Sequence, residues 1–327
     1  MDSVLIVITC FNHENYVEKT IRSAINQTYK NTAIVVIDNN SCDNSKAIIQ
    51  KMVLEFSFLK TIFHVSNIGI CKAVNDVSLE SSATYLIDLS ADDLLHSNFI
   101  ERSVEQFKRL DNEHAVVCSR AYEIDVDDII TGKFSIYENK NGYVFEDFLN
   151  RKTSSLIGHL IKLSAFKNLN GYDESLHFED FDFHARCSRI YKYHFFDEFL
   201  FGYRFLPNSL SKSYHQKSKM IDSYFISLTN LLKTSLNESE KQIISQVAIR
   251  NAYNAFFLEK FKKTDKFLLI AGQNGLNTWP TKLLKLLNRL RIRNYGLVFQ
   301  VWRFRFRFKQ KIYTFKYGSR NFNDLPK

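Results

Sequence analysis

Four groups of polar residues in this chain have types and spacing suited to chemistry. Ser90-Ala91-Asp92-Asp93 follows the apolar run 85–89, Asp38-Asn39-Asn40-Ser41 closes the run 33–37, and Thr9-Cys10-Phe11-Asn12 closes the run 4–9. Two adjacent carboxylates after a buried strand cannot both enter the core unpaired. At a strand end, Asp92 and Asp93 can hold a hard divalent cation, which takes oxygen ligands and bridges to a diphosphate; the alternative is a cap on the helix that begins nearby. Phe11 and Asn12 can face a base and its ribose, or pack. Asp38 and Asn39 can pair with a pyrimidine edge, or make a turn. In the fourth group, Glu179, Asp180 and Asp182 precede the helical pattern Phe183-His184-Ala185-Arg186. A carboxylate there can serve as general base for an attacking hydroxyl, or simply favour the first turn of the helix. His13, His159 and His177 stand alone and read as structural histidines.

The elements that must carry these groups are legible as an alternation. Apolar runs at 4–9, 33–37, 59–65, 85–89 and 115–119 predict five strands. Between them, Tyr16, Val17, Ile21, Ala24 and Ile25 have helical spacing, as do Ala47, Ile48, Met52 and Phe56, and the stretches 70–79 and 99–110. Strands alternating with helices at this interval predict an α/β fold with a mainly parallel, Rossmann-like sheet. Ligands of such sheets bind beyond the carboxyl ends of the strands, where three of the polar groups fall. There is no Walker A loop and no GxGxxG fingerprint, so neither P-loop nor dinucleotide chemistry is supported. The segment 120–212 is less regular, and from about 214 onward the pattern is helical.

The chain has 327 residues, 45% hydrophobic and 24% charged, which is globular composition. Its five cysteines are odd in number and form no CxxC pair, so a disulfide framework or structural zinc is not expected, and the reducing cytosol is the natural compartment. No uninterrupted apolar stretch of about 18 residues predicts a membrane span, and the run 4–8 reads as a buried first strand rather than a signal peptide. The net charge of +9 is unevenly placed. Residues 279–320 hold 12 Lys/Arg and no Asp or Glu, whereas 1–278 are mildly acidic. This tail interleaves leucines with Lys282, Lys285, Arg289, Arg291 and Arg293, then alternates Arg with Phe over 303–308. A basic amphipathic segment of this kind suits an anionic membrane surface. Packing on the body or pairing of chains into a homo-oligomer is the second expectation. Nucleic acid is disfavoured by the acidic body and the lack of a recognition motif.

Together these pieces resemble the family-2 glycosyltransferases of the nucleotide-sugar-binding GT-A fold. Residues 4–12 resemble the family's opening strand, Gln27-Thr28-Tyr29 its "Q-T-Y" helix end, and Val36-Ile37-Asp38-Asn39-Asn40-Ser41 its "V-D-D-G-S". Asn67-Ile68-Gly69-Ile70 with Ala73-Val74-Asn75 resembles "N-x-G-x-x-x-A-x-N". Ser90-Ala91-Asp92-Asp93 stands at the DxD position. Gly171-Tyr172-Asp173-Glu174 with Glu179-Asp180 resembles "G-x-D-E…E-D", and Tyr203-Arg204 with Ser209-Leu210-Ser211 the closing segment. The likeness covers residues 1–212, the expected catalytic domain, followed by a helical region over 213–278 and the tail over 279–327.

The resemblance implies an inverting transferase that moves one sugar from a nucleotide donor, most often UDP-linked, with Mn²⁺ or Mg²⁺. It implies that Thr9, Phe11, Asp38 and Asn39 cradle the nucleoside, and that Asn12, Asn67, Gly69, Ala91, Asp92 and Glu179 complete the substrate contacts. By the same token Asp92 and Asp93 hold the metal and Asp180 is the base. The expected acceptor is a cell-surface glycan or a lipid-linked oligosaccharide, at the inner face of the plasma membrane. The alternative is a degenerate relative that binds nucleotide-sugar without catalysis, because the family's first DxD acid is Ser90 here, its second "V-D-D" acid is Asn39, and a frequent histidine after "Y-R" falls at Leu206. No Q-x-x-R-W motif is present, which disfavours a processive synthase.

Overall fold

The computed structural model describes residues 2–134, 140–153, 157–206, 218–234, 236–273, 275–276, 278–292 and 320–326. The expected alternation is present: β1 Val4–Cys10, α1 Val17–Ile25, β2 Thr32–Asp38, α2 Ser45–Glu55, β3 Lys60–Phe63, α3 Ile70–Ser78, β4 Tyr85–Ser90, β5 Leu94–Leu95 and α4 Phe99–Phe107. Strand β1 is buried at all seven positions, as befits a strand covered by helices on both faces. Ile6, Ile8, Val36, Ile87 and Leu89 face one apolar cluster with α1, α2 and α4; Leu5, Val7, Ile37 and Leu86 face the other with α3.

The order β3-β2-β1-β4 is wholly parallel. Beyond β4 the sheet is mixed. It continues through β8 His159–Lys162, β6 His114–Ile124, β9 Lys192–Arg204 and β5, with β7 Ile130–Lys133 beside β6. Strand β8 runs antiparallel to both β4 and β6, and β6 is parallel to β9. The fifth predicted strand therefore does not extend the parallel set directly. The short β8 separates it from β4, and β6 runs on to Ile124, well past the apolar run at 115–119.

Several motif residues have structural duties. Gln27 is buried at the end of α1; its amide nitrogen donates to the carbonyls of Ser23 (3.0 Å) and His96 (2.8 Å), and its amide oxygen accepts from Ile100 N–H (3.1 Å). It fastens α1 to the start of α4. Asn75 of α3 does the same for the segment leading to the second acidic group. It accepts from Tyr172 N–H and donates to the Tyr172 carbonyl, both at 2.9 Å, and donates to Glu174 at 3.1 Å. That segment lies between α6 Leu163–Asn168 and α7 Asp180–Ile190. Arg186 of α7 reaches back to the carbonyls of Leu169 (2.8 Å) and Gly171 (2.9 Å) and to Asp182 (2.7 Å).

The helical region comprises α8 Ser218–Leu232, α9 Glu238–Phe257, α10 Phe261–Gln273 and α11 Trp279–Arg289. It shares an apolar cluster with Phe145 and Leu149 of the short helix α5 Phe145–Leu149 and with Ala185 of α7. Asn237 and Glu240 form a reciprocal capping box at the start of α9, and Arg189 at the end of α7 donates to Glu240 (2.8 Å), which joins the two helices. The expected boundary at 212/213 lies outside the described residues, as do Ser209-Leu210-Ser211 and the Arg/Phe alternation of the tail.

Gly171 has φ +64, and an added Cβ would stand 2.4 Å from Asn75 Oδ1. Gly171→Ala is expected to lower stability by about 1–3 kcal/mol through left-handed strain and loss of the Asn75 clamp. Denaturant melts check this; an unchanged midpoint would show that the segment repacks freely.

Candidate active site

Parallel register brings three strand ends level. Cys10 pairs with Asp38, and Thr9 pairs with Ile37 on one side and Ser90 on the other. Just past the strands, Asn39 N–H donates to the Cys10 carbonyl (2.8 Å) and Ala91 N–H to the Thr9 carbonyl (3.0 Å). The polar tails of β1, β2 and β4 thus open along one edge, with Thr9 and Ala91 buried in its floor and Phe11 exposed at its rim.

Asp38 is buried at the end of β2. Its Oδ2 accepts from Ser41 N–H (3.3 Å), while Oδ1 is closed to solvent and has no hydrogen-bond partner. Leaving such an acceptor unpaired costs about 1–3 kcal/mol. Asn39 is differently employed. Its amide oxygen accepts from Ile68 N–H (3.0 Å) and meets His64 Nδ1 (3.1 Å), and its nitrogen donates to Asn67 (3.2 Å). Asn67 in turn accepts from Gly69 N–H (3.0 Å), and Gly69 enters α3 at φ 85 with open space where a Cβ would stand. Asn39, Asn67 and Gly69 therefore meet as one group that shapes the loop between β3 and α3. Asn12 also serves a loop: at φ 59 it donates its N–H to Ser41 Oγ (2.9 Å), and its amide oxygen accepts from Cys42 N–H (2.8 Å).

The two adjacent acids face different ways. Asp93 is buried, its Oδ1 accepts Arg204 N–H (2.8 Å), and its carbonyl accepts from Thr20 of α1 (2.8 Å). Burial, with Asp92 beside it, pushes its carboxyl well above the usual range, against the opposing pull of Arg204. The structure thus occupies Asp93 in holding the end of β9. Asp92 turns outward: Oδ1 accepts from Ser90 Oγ, and Oδ2 lies 3.9 Å from His13 Nε2. Among the described residues no cluster of three or more His, Cys, Asp or Glu could hold a metal by itself. One outward carboxylate fits an ion that takes its other ligands from a diphosphate and water, as Mg²⁺ and Mn²⁺ do.

Beneath this corner lies Arg204, 1% exposed. Its Nε donates to the Asp92 carbonyl (2.7 Å), one terminal nitrogen to the Asp125 carbonyl and the other to Asp128 Oδ1, while the guanidinium lies 4.7 Å from the Tyr16 ring centre. Burial opposes ionisation of Asp128, yet Lys19 and Arg204 together hold its carboxyl below its ordinary pKa. Residues 320–326, grouped with the tail by sequence, return to this place. Phe322 N–H donates to the Asp128 carbonyl (2.9 Å), Asn323 reaches Asp128 Oδ2 (3.3 Å), and Phe322 packs with Leu94, Ile124 and Ile130. An apolar ring between two amide side chains suits this edge better than solvent.

The second acidic group stands against β4. Asp88 is two residues before Ser90, on the same face of the strand, and it is a site residue that sequence reasoning missed. Its Oδ1 is buried without a partner. Burial raises its carboxyl to about 7, with Tyr172 lowering and Asp180 raising it. Burial, then Asp180 and Asp88, raise Glu179 well above the ordinary range. Asp180 is exposed at the start of α7, where its Oδ1 accepts the N–H of Phe181 (2.6 Å). Three carboxyls that feel one another titrate as a set. Four residues of chain, at most about 14 Å, separate Asp88 from Asp92, so both acidic groups belong to the same end of β4. The one trace of Asp88 in the sequence is an acid interrupting the apolar run 85–89, a pattern that an exposed strand face also gives.

The unfolded Asp88 would ionise near pH 4, whereas the folded one keeps its proton to about 7. This group therefore favours the folded state least above pH 7, and its contribution declines as pH rises between those values. Asp88→Asn is expected to gain melting temperature relative to wild type on going from pH 5 to pH 8. A difference that does not change with pH would contradict the buried-acid assignment.

Comparison with known proteins places this architecture. The family model for glycosyl transferase family 2 matches residues 5–168, half of the chain. An uncharacterized glycosyltransferase of Rickettsia bellii is 28% identical over 217 residues, 64% of this chain and 31% of that protein. The chain spans about a third of the length of the curated relatives it first matches. S. aureus TarS (residues 1–349), solved with UDP-GlcNAc, is 13% identical with a TM-score of 0.63 over 88% of each chain. The mannosyltransferase PcManGT of Pyrobaculum calidifontis, solved with GDP-Man and Mn²⁺, is 12% identical with a TM-score of 0.57 over 95% of this chain and 84% of that one. These structures share the GT-A fold with this chain.

Proposed function

The chain belongs to glycosyl transferase family 2, and we propose that it transfers one sugar, with inversion, from a nucleotide-sugar to a hydroxyl of a glycan or lipid-linked acceptor. The observation that carries this reading is the pairing of an unsatisfied buried acceptor, Asp38 Oδ1, with an outward carboxylate, Asp92, along one strand-end cleft. Asp38, at the end of β2, would accept the ring N–H of a uracil, which favours UDP as the carrier. Phe11, at the rim, would lie against the base, and the Thr9–Ala91 floor would support the ribose. The loop shaped by Asn39, Asn67 and Gly69 would close the nucleoside end, with Asn12 holding the opposite loop.

Asp92 would hold Mn²⁺ or Mg²⁺, with Asp93 fixing the turn beneath it. When bound there, the cation supplies positive charge against that building on the departing diphosphate. Asp180 would accept the proton of the acceptor hydroxyl as its oxygen bonds to the anomeric carbon and the carbon–phosphate-oxygen bond breaks. One displacement suffices, so no carboxylate need act as nucleophile. Glu179 and Asp88 would set the local charge. Asp180→Asn is expected to lower transfer on the order of 10²–10⁴-fold while UDP binding persists. Transfer within threefold of wild type would remove Asp180 from the chemistry.

The acceptor side is proposed from α11. No helix among the described residues is long and apolar enough to cross a membrane. Thr281, Leu284 and Asn288 of α11 face the bundle, whereas Trp279, Leu283, Leu286 and Leu290 form an exposed row with Lys282, Lys285 and Arg289 along one side. An apolar row bordered by cations suits the anionic inner leaflet, with the basic residues up to 320 adding attraction. Replacing Trp279, Leu286 and Leu290 by Ser should reduce binding to vesicles containing phosphatidylglycerol by roughly tenfold or more. Equal binding by the variant would refute peripheral attachment through α11.

A further inference from the structure

We propose that His13 is a ligand of the cation held by Asp92, so that the metal corner presents one carboxylate oxygen and one imidazole nitrogen. The inference rests on the reading that a diphosphate-bound cation sits at Asp92.

Three observations on this chain's own residues carry it. First, His13 Nε2 stands 3.9 Å from Asp92 Oδ2, the carboxylate oxygen that Ser90 leaves open. Two ligands of one octahedral Mg²⁺-sized ion lie about 3 Å apart in adjoining positions and about 4.2 Å across it. The observed separation falls within that span, so a small side-chain rotation seats both atoms on one ion. Second, the ring is placed by its backbone. His13 N–H donates to Ser45 Oγ (3.0 Å), and its carbonyl accepts from Tyr16 and Val17 N–H, both at 2.9 Å. The next residue is tied down as well: Glu14 N–H donates to Asp43 (3.0 Å), and the Glu14 carboxylate accepts from Asn44 N–H (2.8 Å). Third, Nδ1 is buried and has no hydrogen-bond partner. With Nδ1 enclosed, Nε2 is the nitrogen that faces Asp92.

Asp93 and Arg204 strengthen the case by subtraction. Asp93 is bound to the β9 end, and Arg204 is enclosed beneath the turn, so neither reaches the open side of Asp92. Leu206 offers no ligand after the Tyr203-Arg204 pair. His13 approaches from the β1–α1 loop and supplies the missing donor atom. A nitrogen ligand has a selective consequence. Mg²⁺ prefers an all-oxygen shell, while Mn²⁺ accepts imidazole more readily, so this corner should favour Mn²⁺.

The test uses the full chain with Mn²⁺ and UDP. Pulsed EPR of the wild-type Mn²⁺–UDP complex should show ¹⁴N modulation from a directly bound nitrogen, and His13→Ala should abolish it. In titrations with UDP present, His13→Ala should weaken Mn²⁺ binding by roughly tenfold or more and Mg²⁺ binding by less than threefold. His13→Gln, which offers an oxygen in place of nitrogen, should lose the modulation and narrow the preference for Mn²⁺. Bound Mn²⁺–UDP without nitrogen modulation, or Mn²⁺ affinity unchanged in both variants, overturns the assignment while leaving the donor site intact. If the wild-type chain binds neither UDP nor Mn²⁺, the donor-site reading itself falls and this inference with it. Thermal melts verify folding of the variants; should they fail to fold, the wild-type spectrum alone decides.

Discussion

A buried guanidinium cannot exist unless its N–H groups are met, and that constraint organises the catalytic end of this molecule. Arg204 satisfies its nitrogens on the Asp92 and Asp125 carbonyls and on Asp128. Those partners come from the β4–β5 turn and from the turn between β6 and β7. Tyr16, from the start of α1, lies against its face. The same Asp128 is bound by Lys19 (2.8 Å) and by the returning residues 322–323. Removing one partner of such a buried pair costs about 3–5 kcal/mol, because the other charge is left uncompensated. The outward posture of Asp92 follows from this anchorage: its backbone is held from below, so its carboxylate has only the cleft to face.

The parallel half of the sheet and its mixed half then divide the labour. Strands β1, β2 and β4 deliver Thr9, Asp38 and Ser90 to a common edge by register alone. The mixed half carries β9, which brings Arg204 under the turn, and the connection from α6 to α7, which brings Glu179 and Asp180 against Asp88. The clamp of Asn75 on Tyr172 joins the halves, since it ties a helix of the nucleotide side to the segment bearing the proposed base. Phe178 and Phe181, either side of the acids, pack against Tyr224 of α8 at 4.6 and 4.8 Å between ring centres. The helical region thereby braces the proposed base as well as presenting α11 outward.

Much of this was legible in the sequence, for identifiable reasons. Buried strands with turn-forming polar ends announce themselves, and β1 to β4 and α1 to α4 lie where apolar periodicity put them, whereas the two-residue β5 carried no such signal. The second half of the sheet was harder. Strand β9 mixes charged and aromatic residues without regular alternation over 13 positions and pairs with segments far away in the chain, so no local pattern reveals its partners. Asp88 was hidden because an acid in an apolar run looks like a strand's exposed face until tertiary contacts bury it. His13 was set aside as a lone histidine, because its neighbour Asp92 is 79 residues distant. Asn12, Asn39 and Asn67 were read as contacts for a bound molecule, yet their amides hold loops together. Residue type suggested polarity at the right places, but only geometry separates a polar group that faces the cleft from one that builds its walls.

The central claim is that one cleft receives the nucleotide at β2, the diphosphate at Asp92 and the reacting sugar beside Asp180. A crystal structure of the chain with Mn²⁺ and a non-hydrolysable UDP-sugar tests it most directly. The account predicts the uracil on Asp38, the diphosphate at the Asp92 corner, and the anomeric carbon facing Asp180 across room for one hydroxyl. A nucleotide bound away from Asp38, or a sugar turned from Asp180 with a different carboxylate facing its anomeric carbon, would contradict it.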